Sequence, residues 1–130
     1  MKKFILLILL TLVSMNSYAT ELKSFAKTCN NFIIYKASLS AVCTAENGAR
    51  YNTSLRLRGI NNSNGVLTAD ADSHVMSKFH TTCTKTGVDS NGVLAASCKN
   101  SKNAYVWTFI DLNPLLRNFN GTLVYPSTYN

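Results

Sequence analysis

Landmarks of this sequence recur in order, and that recurrence limits what the chain can fold into. Phe25, Thr28 and Cys29 return as Phe79, Thr82 and Cys83. Leu39 and Cys43 return as Leu94 and Cys98, Leu55 and Leu57 as Ile110 and Leu112, and Asn64-Gly65 as Asn120-Gly121. The period is about 55 residues, and two copies are too few for a stacked array of repeats. Two copies instead predict a closed pair related by a pseudo-twofold axis. Any site that one copy builds should then have a counterpart in the other.

The first residues read as a leader. Met1-Lys2-Lys3 is a positive start, Phe4 to Val13 is a short apolar run, and Ser17-Tyr18-Ala19 is a small-x-small cleavage site. This is the pattern of a secretory signal peptide over residues 1–19, in a bacterial style, with an apolar run too short to span a bilayer. The expected address is secreted or periplasmic, with no membrane span. The rest suits one compact unit, because each repeat alone is too small to bury a good core. The reading is one domain over 20–125, with repeat one at about 22–67, a linker at 68–77, repeat two at about 78–125 and a tail at 126–130. Two similar halves joined by a linker are compatible with a monomer or a domain-swapped dimer. The formal net charge is +7, of which Lys2 and Lys3 contribute two. The remaining basic residues are scattered, so no nucleic-acid partner is expected.

Four cysteines in a short secreted chain allow three pairings. The duplication selects Cys29–Cys43 and Cys83–Cys98, one bridge inside each copy. Zinc is the competitor, but CxxC spacing is missing and only His74 and His80 are available, so no metal is expected. Four of the six glycines follow asparagine: Asn47-Gly48, Asn64-Gly65, Asn91-Gly92 and Asn120-Gly121. Asn-Gly favours the two-residue hairpin turn in which both residues have positive φ. Leu39, Ala41 and Cys43 alternate with small polar residues, as a half-buried strand requires. Ser24 to Thr28 reads as a single helical turn. Tyr51, Thr53, Leu55 and Leu57 take the inner positions of a further strand. In copy two, Val106, Thr108, Ile110 and Leu112 do so, leaving Tyr105, Trp107 and Phe109 on the outer face. That aromatic face is expected to pack one half against the other.

Catalysis finds no footing. Asp70 and Asp72 are the one close acidic pair, and they fall in the linker. His80 lies three residues before Cys83, a Cys–His nucleophile arrangement that a disulfide would cancel. No phosphate loop or GxSxG elbow is present. The expectation is no enzyme and no cofactor. What remains is a stapled β-scaffold rich in Asn, Ser and Thr, which are neutral donors and acceptors.

Ser-Phe-x-x-Thr-Cys at 24–29, Tyr-Asn-Thr-Ser at 51–54, Leu-Ala-Ala-x-Cys at 94–98 and Asn-Gly-Thr-Leu-x-Tyr at 120–125 resemble the cyanovirin-N homology (CVNH) family of small lectins. The resemblance runs from Leu22 to Tyr125. It implies an elongated all-β, pseudo-twofold fold whose two tandem repeats each contribute to triple-stranded sheets and β-hairpins, with short 3-10 turns. It also implies recognition of mannose-type glycans, commonly terminal α-linked dimannose, without metal. The partners would be mannose-containing oligosaccharides or glycoproteins. Carried over by motif, a first site would use Ser24, Lys27, Thr28, Thr44, Glu46, Asn47, Asn118, Phe119 and Asn120. A second would use Asn61, Asn62, Ser77, Lys78, Thr81, Thr82, Lys99, Asn100, Ser101 and Asn103. Three positions depart from the family's best-known pockets, where acids stand in place of Thr44, Asn61 and Thr81. A carboxylate forms charge-assisted bonds about twice as strong as neutral ones, so weaker binding or another glycan is expected. The Trp–Gln–Pro hinge of the founding member is also missing. The alternative reading is a secreted or periplasmic protein-binding module without sugar specificity.

Overall fold

The structure is a computed structural model and describes residues 24–70 and 73–126. The leader expected over residues 1–19, Asp72, and the end of the tail lie outside the described residues. Among the described residues, ten strands and two 3-10 turns make up the fold. In copy one, the turn Phe25–Lys27 leads into β1 (Cys29–Tyr35), β2 (Ser38–Thr44) and β3 (Arg50–Arg56), then β4 (Ile60–Ser63) and β5 (Val66–Ala69). In copy two, the turn Phe79–Thr81 leads into β6 (Cys83–Val88), β7 (Val93–Lys99) and β8 (Tyr105–Asp111), then β9 (Arg117–Phe119) and β10 (Thr122–Val124). The strands form two three-stranded sheets, β1-β2-β3 and β6-β7-β8, and two hairpins, β4-β5 and β9-β10, all antiparallel.

The hairpins change places between the copies. The β9-β10 hairpin of copy two lies on the sheet of copy one, where the Leu123 N–H donates to Thr53 Oγ1 at 3.1 Å. The β4-β5 hairpin of copy one lies on the sheet of copy two, where the Leu67 N–H donates to Thr108 Oγ1 at 3.0 Å. One apolar cluster therefore draws on both copies: Phe25, Leu39, Leu57 and Leu67 from the first, and Phe79, Leu94, Leu112 and Leu123 from the second. Neither copy encloses this core by itself.

The cysteines pair within each copy, as the duplication requires. Cys29 faces Cys43 across β1-β2, Cys83 faces Cys98 across β6-β7, and both pairs are disulfides. With Cys83 so bound, the Cys–His nucleophile has no thiol. Each bridge closes a loop of about 15 residues, worth on the order of 3 kcal/mol through the unfolded chain.

The Asn-Gly turns divide into two kinds. Asn64-Gly65 and Asn120-Gly121 are two-residue hairpin turns, with φ of 52° and 89° in the first and 49° and 94° in the second. Asn47-Gly48 and Asn91-Gly92 are not. Only the glycine has positive φ, and its N–H donates to the carbonyl three residues back, Ala45 or Asp89. These longer connections close with one left-handed residue after an ordinary turn, so the asparagine keeps a common conformation.

Two further expectations are corrected. Tyr105, Trp107 and Phe109 do not pack the halves together; they are 52, 58 and 64 % exposed. The reason is the exchange of hairpins. The opposite face of β8, through Thr108, already receives β4-β5, and the aromatic face is left to solvent. The expected linker also starts too early, because Thr68 and Ala69 belong to β5. The connection that follows is tied to residues 57–59: the Asp70 N–H donates to the Gly59 carbonyl, the Gly59 N–H to Val75 and the Ser77 N–H to Leu57.

Candidate functional site

Each exchanged hairpin presents one asparagine to the sheet beneath it, and the two asparagines act alike. Asn118 Nδ2 donates to Thr28 Oγ1 and to the Thr44 carbonyl, both at 2.9 Å. Its Oδ1 accepts the Gly121 N–H at 2.8 Å. Asn62 Nδ2 donates to Thr82 Oγ1 and to the Lys99 carbonyl, again both at 2.9 Å, and its Oδ1 accepts the Gly65 N–H at 2.7 Å. The turn asparagines repeat the pattern one step out. Asn120 Oδ1 accepts the Glu46 N–H at 3.0 Å, and Asn64 Oδ1 accepts the Ser101 N–H at 2.6 Å. These bonds fasten the tip of each hairpin beside the first loop residues after the second cysteine of the other copy.

A shallow cavity lies at each tip. The first, about 280 Å³, is lined by Asn47, Tyr51, Asn52, Asn120 and Thr122. The second, about 390 Å³, is lined by Asn62, Asn64, Thr82, Lys99, Asn100 and Ser101. The structure thus brings Thr28, Thr44, Glu46, Asn47, Asn118 and Asn120 together, and likewise Asn62, Thr82, Lys99, Asn100 and Ser101. A broader trough of about 470 Å³ runs over the outer face of the first sheet, between Ile33, Val42 and Asn52. It is a single-sheet surface without the hairpin junction, and no charged side chain lines it.

Not every residue named from sequence is free to meet a ligand. Ser77 is fully buried and its Oγ accepts the Ile60 N–H at 2.8 Å, so it belongs to the core and not to the second cavity. Ser24 Oγ is spent on Asn113 Oδ1 at 2.9 Å, and Thr81 Oγ1 on the Lys78 carbonyl at 2.7 Å. Asn118 and Asn62 use both amide hydrogens internally and therefore shape the cavities more than they read a ligand. Asn100 Oδ1 accepts the Lys102 and Ala104 N–H groups and holds its own loop. Asn103 supplies the left-handed residue of that loop, with φ of 62°. Asn61, Lys27 and Lys78 are exposed, and Phe119 is 68 % exposed on β9. Among the described residues, the side-chain amides of Asn47 and Asn120, which line the first cavity, and the Glu46 carboxylate next to it keep no partner for their remaining groups. The corresponding free groups of the second are the Asn64 amide and the Ser101 hydroxyl.

Sequence reasoning missed three residues. Asn64 is the twofold mate of Asn120, and applying the repeat consistently finds it. Tyr51 and Val106 were placed inward but are exposed, each beneath a turn glycine. A Cβ on Gly121 would sit 2.6 Å from the Tyr51 ring, and one on Gly65 would sit 2.6 Å from Val106. The pairing of each hairpin with the opposite sheet carries no local signal that would reveal this.

The fold and its two matched hairpin clamps define a duplicated all-β domain with a shallow hollow, lined mostly by neutral hydrogen-bonding groups, beside each clamp. The chain belongs to the CVNH domain family, whose model matches residues 25–124. Solved structures agree. The CVNH protein of T. borchii is 26 % identical over 79 % of this chain and 99 % of its own, with a TM-score of 0.65. Microvirin, in a complex with mannobiose, is 25 % identical over 79 % of this chain and 98 % of its own, at 0.59. A MoCVNH3 variant in complex with (N-GlcNAc)4 shares the fold at 17 % identity and a TM-score of 0.66, covering 78 % of this chain and 96 % of its own.

Proposed function

We propose that the protein is a secreted, non-catalytic lectin that recognises mannose-type glycans through the two hairpin-tip cavities. The observation that carries this reading is the repeated clamp. Each clamp stands beside a shallow cavity that displays amides and hydroxyls, groups matched to sugar hydroxyls both directly and through water. Family membership supports carbohydrate binding. The mannobiose bound to microvirin and the N-GlcNAc tetramer bound to the MoCVNH3 variant support an oligosaccharide as the ligand class. The contacts assigned to sugar are Asn47 and Asn120 in the first cavity with Glu46 at its side, and Asn64, Lys99 and Ser101 in the second. Thr44, Asn61 and Thr81 supply no acid, so single-site affinity is modest, with avidity on dense glycans. The test is a glycan array followed by calorimetry with mannobiose. Glu46→Ala combined with Asn47→Ala should weaken mannobiose by at least about tenfold, the loss of one or two hydrogen bonds to a charged or polar group. An empty array, or unchanged calorimetry in the double variant, sinks the assignment.

One observation favours a second reading, a protein-binding module: the exposed strip of Tyr105, Trp107 and Phe109, since exposed aromatic patches mark interaction surfaces. That reading expects no glycan binding and a partner lost on Trp107→Ser.

A further inference from the structure

The repeat also shows where the two halves stop matching. In copy two, the loop between β6 and β7 packs on the first 3-10 turn. A Cβ on Gly92 would lie 3.0 Å from Ala26 Cβ and 3.0 Å from Asn113 Nδ2. Asn113 fills the space, accepting from Ser24 Oγ and the Ala26 N–H and donating to the Asn91 carbonyl at 2.7 Å. The mate in copy one is the tight turn at Lys36-Ala37 against the second 3-10 turn. The correspondence is fixed by matched bonds, Leu57 N–H to the Ala37 carbonyl and Leu112 N–H to the Gly92 carbonyl. There, His80 takes the place of Ala26. Arg58 takes the place of Asn113, and its guanidinium lies over the Tyr125 ring at 4.1 Å instead of filling the gap. The gap stays open as a cavity of about 390 Å³.

Its lining, which also takes in Ala37 and Met76, carries two cations, Lys36 and Arg56. Tyr35, Ser38 and Arg56 stand in one row across β1, β2 and β3, because Tyr35 pairs with Ser38 and Ser38 with Arg56. Lys36 and His80 close the cavity, and no carboxylate lines it. At the mate of Arg56 the second sheet carries Asp111, paired with Val93 as Arg56 is with Ser38. The sign of the charge is reversed between the halves. Among the described residues neither Lys36 nor Arg56 has an anionic partner; Lys36 Nζ rests over the Tyr35 ring at 5.5 Å. His80 Nδ1 is buried without a hydrogen-bond partner. Two cations without an anionic partner, Lys36 and Arg56, thus flank one hollow, and arginine is the side chain best shaped to hold an oxyanion.

We infer that this cavity binds an oxyanion, a sulfate or carboxylate substituent carried on an acidic glycan. Ser38 and Tyr35 supply hydroxyls beside Lys36 and Arg56. The oxyanion part stands on the cavity alone, and the glycan part rests on the proposed function. The experiment is a proton–nitrogen amide titration of the folded protein with galactose 6-sulfate, galactose and inorganic sulfate. A parallel titration with mannobiose is read at Glu46 and Asn120. Galactose 6-sulfate should shift the Lys36, Ala37, Ser38 and Arg56 amides saturably while galactose does not. Arg56→Gln, which keeps an exposed strand residue and the folded spectrum, should weaken it at least about tenfold. Failure of both sulfated sugar and inorganic sulfate to shift these amides overturns the site, as does equal binding by Arg56→Gln and Lys36→Gln. Inorganic sulfate binding as tightly as the sulfated sugar upholds the oxyanion site and overturns its glycan part. Absence of mannobiose shifts with these retained condemns the lectin reading and leaves the oxyanion site standing.

Discussion

Replacing Asn118 by alanine removes one complete clamp and leaves its mate as a reference. Three bonds go: two donated by Nδ2, to Thr28 Oγ1 and the Thr44 carbonyl, and one accepted by Oδ1 from the Gly121 N–H. A hydrogen bond is worth about 1 kcal/mol net, and an orphaned buried group costs about 1–3 kcal/mol. The site is only partly buried, so water re-satisfies some of the three groups. The loss should come to about 2 kcal/mol, which in a domain of roughly 100 residues lowers Tm by about 10 °C. Asn118→Asp should be worse, because a carboxylate cannot donate and would face the Thr44 carbonyl. Asn62→Ala deletes the same three bonds at the other end and should match Asn118→Ala closely. Guanidinium unfolding with the disulfides intact measures all three. A loss below about 0.5 kcal/mol for Asn118→Ala, the scale of ordinary surface changes, would refute the view that this residue holds the hairpin to the opposite sheet.

Gly59→Ala should be among the most damaging glycine changes. Its φ is 73°, and a Cβ would come within 2.3 Å of the Asp70 carbonyl oxygen, which is backbone and cannot turn aside. Gly48→Ala has the same sign of φ but open space around it, and should cost only the left-handed penalty of about 1–2 kcal/mol; a urea series comparing the two checks the difference. Burial pushes the Tyr125 hydroxyl above the ordinary phenol value, outweighing the opposing effect of the Arg58 N–H and guanidinium. The folded chain therefore holds this proton more tightly than the unfolded one. The associated stability is full below about pH 10 and falls as pH rises through the folded value. Tyr125→Phe should flatten that alkaline decline relative to the parent and cost about 1 kcal/mol at neutral pH for the lost bond to the Arg58 N–H.

The repeat made the disulfides and the strands readable, because pairs such as Cys29 and Cys83 or Leu39 and Leu94 recur at nearly the same spacing. It could not show that the hairpins exchange sheets. Strand alternation reports which face of β8 is apolar but not which segment covers it, so Trp107 and Phe109 were expected at an interface and stand in water. Ser77 failed for the same reason. A serine next to a lysine reads as surface, and only the tertiary bond from the Ile60 N–H makes it core. The Asn47 and Asn91 turns were misread because Asn-Gly fixes a left-handed glycine, while the number of loop residues decides whether the asparagine joins it.

The pseudo-twofold axis supplies its own control for function. Where both copies agree, as at Asn118 and Asn62, the shared residue makes the same three hydrogen bonds. Some of the differences fall on exposed groups without a hydrogen-bond partner. Glu46, next to the first cavity, is matched by Ser101 in the second, and exposed Phe119 by Ser63. A carboxylate accepts from sugar hydroxyls about twice as strongly as a neutral group, and an exposed aromatic ring adds a face for the apolar side of a sugar. The first cavity should therefore bind mannobiose the more tightly, by roughly tenfold for one charge-assisted bond. Amide shifts should saturate at Asn120 before Asn64, and Glu46→Gln should bring the two together. Equal saturation of the two ends in the parent protein would mean that the clamp, common to both, and not the acid sets the affinity.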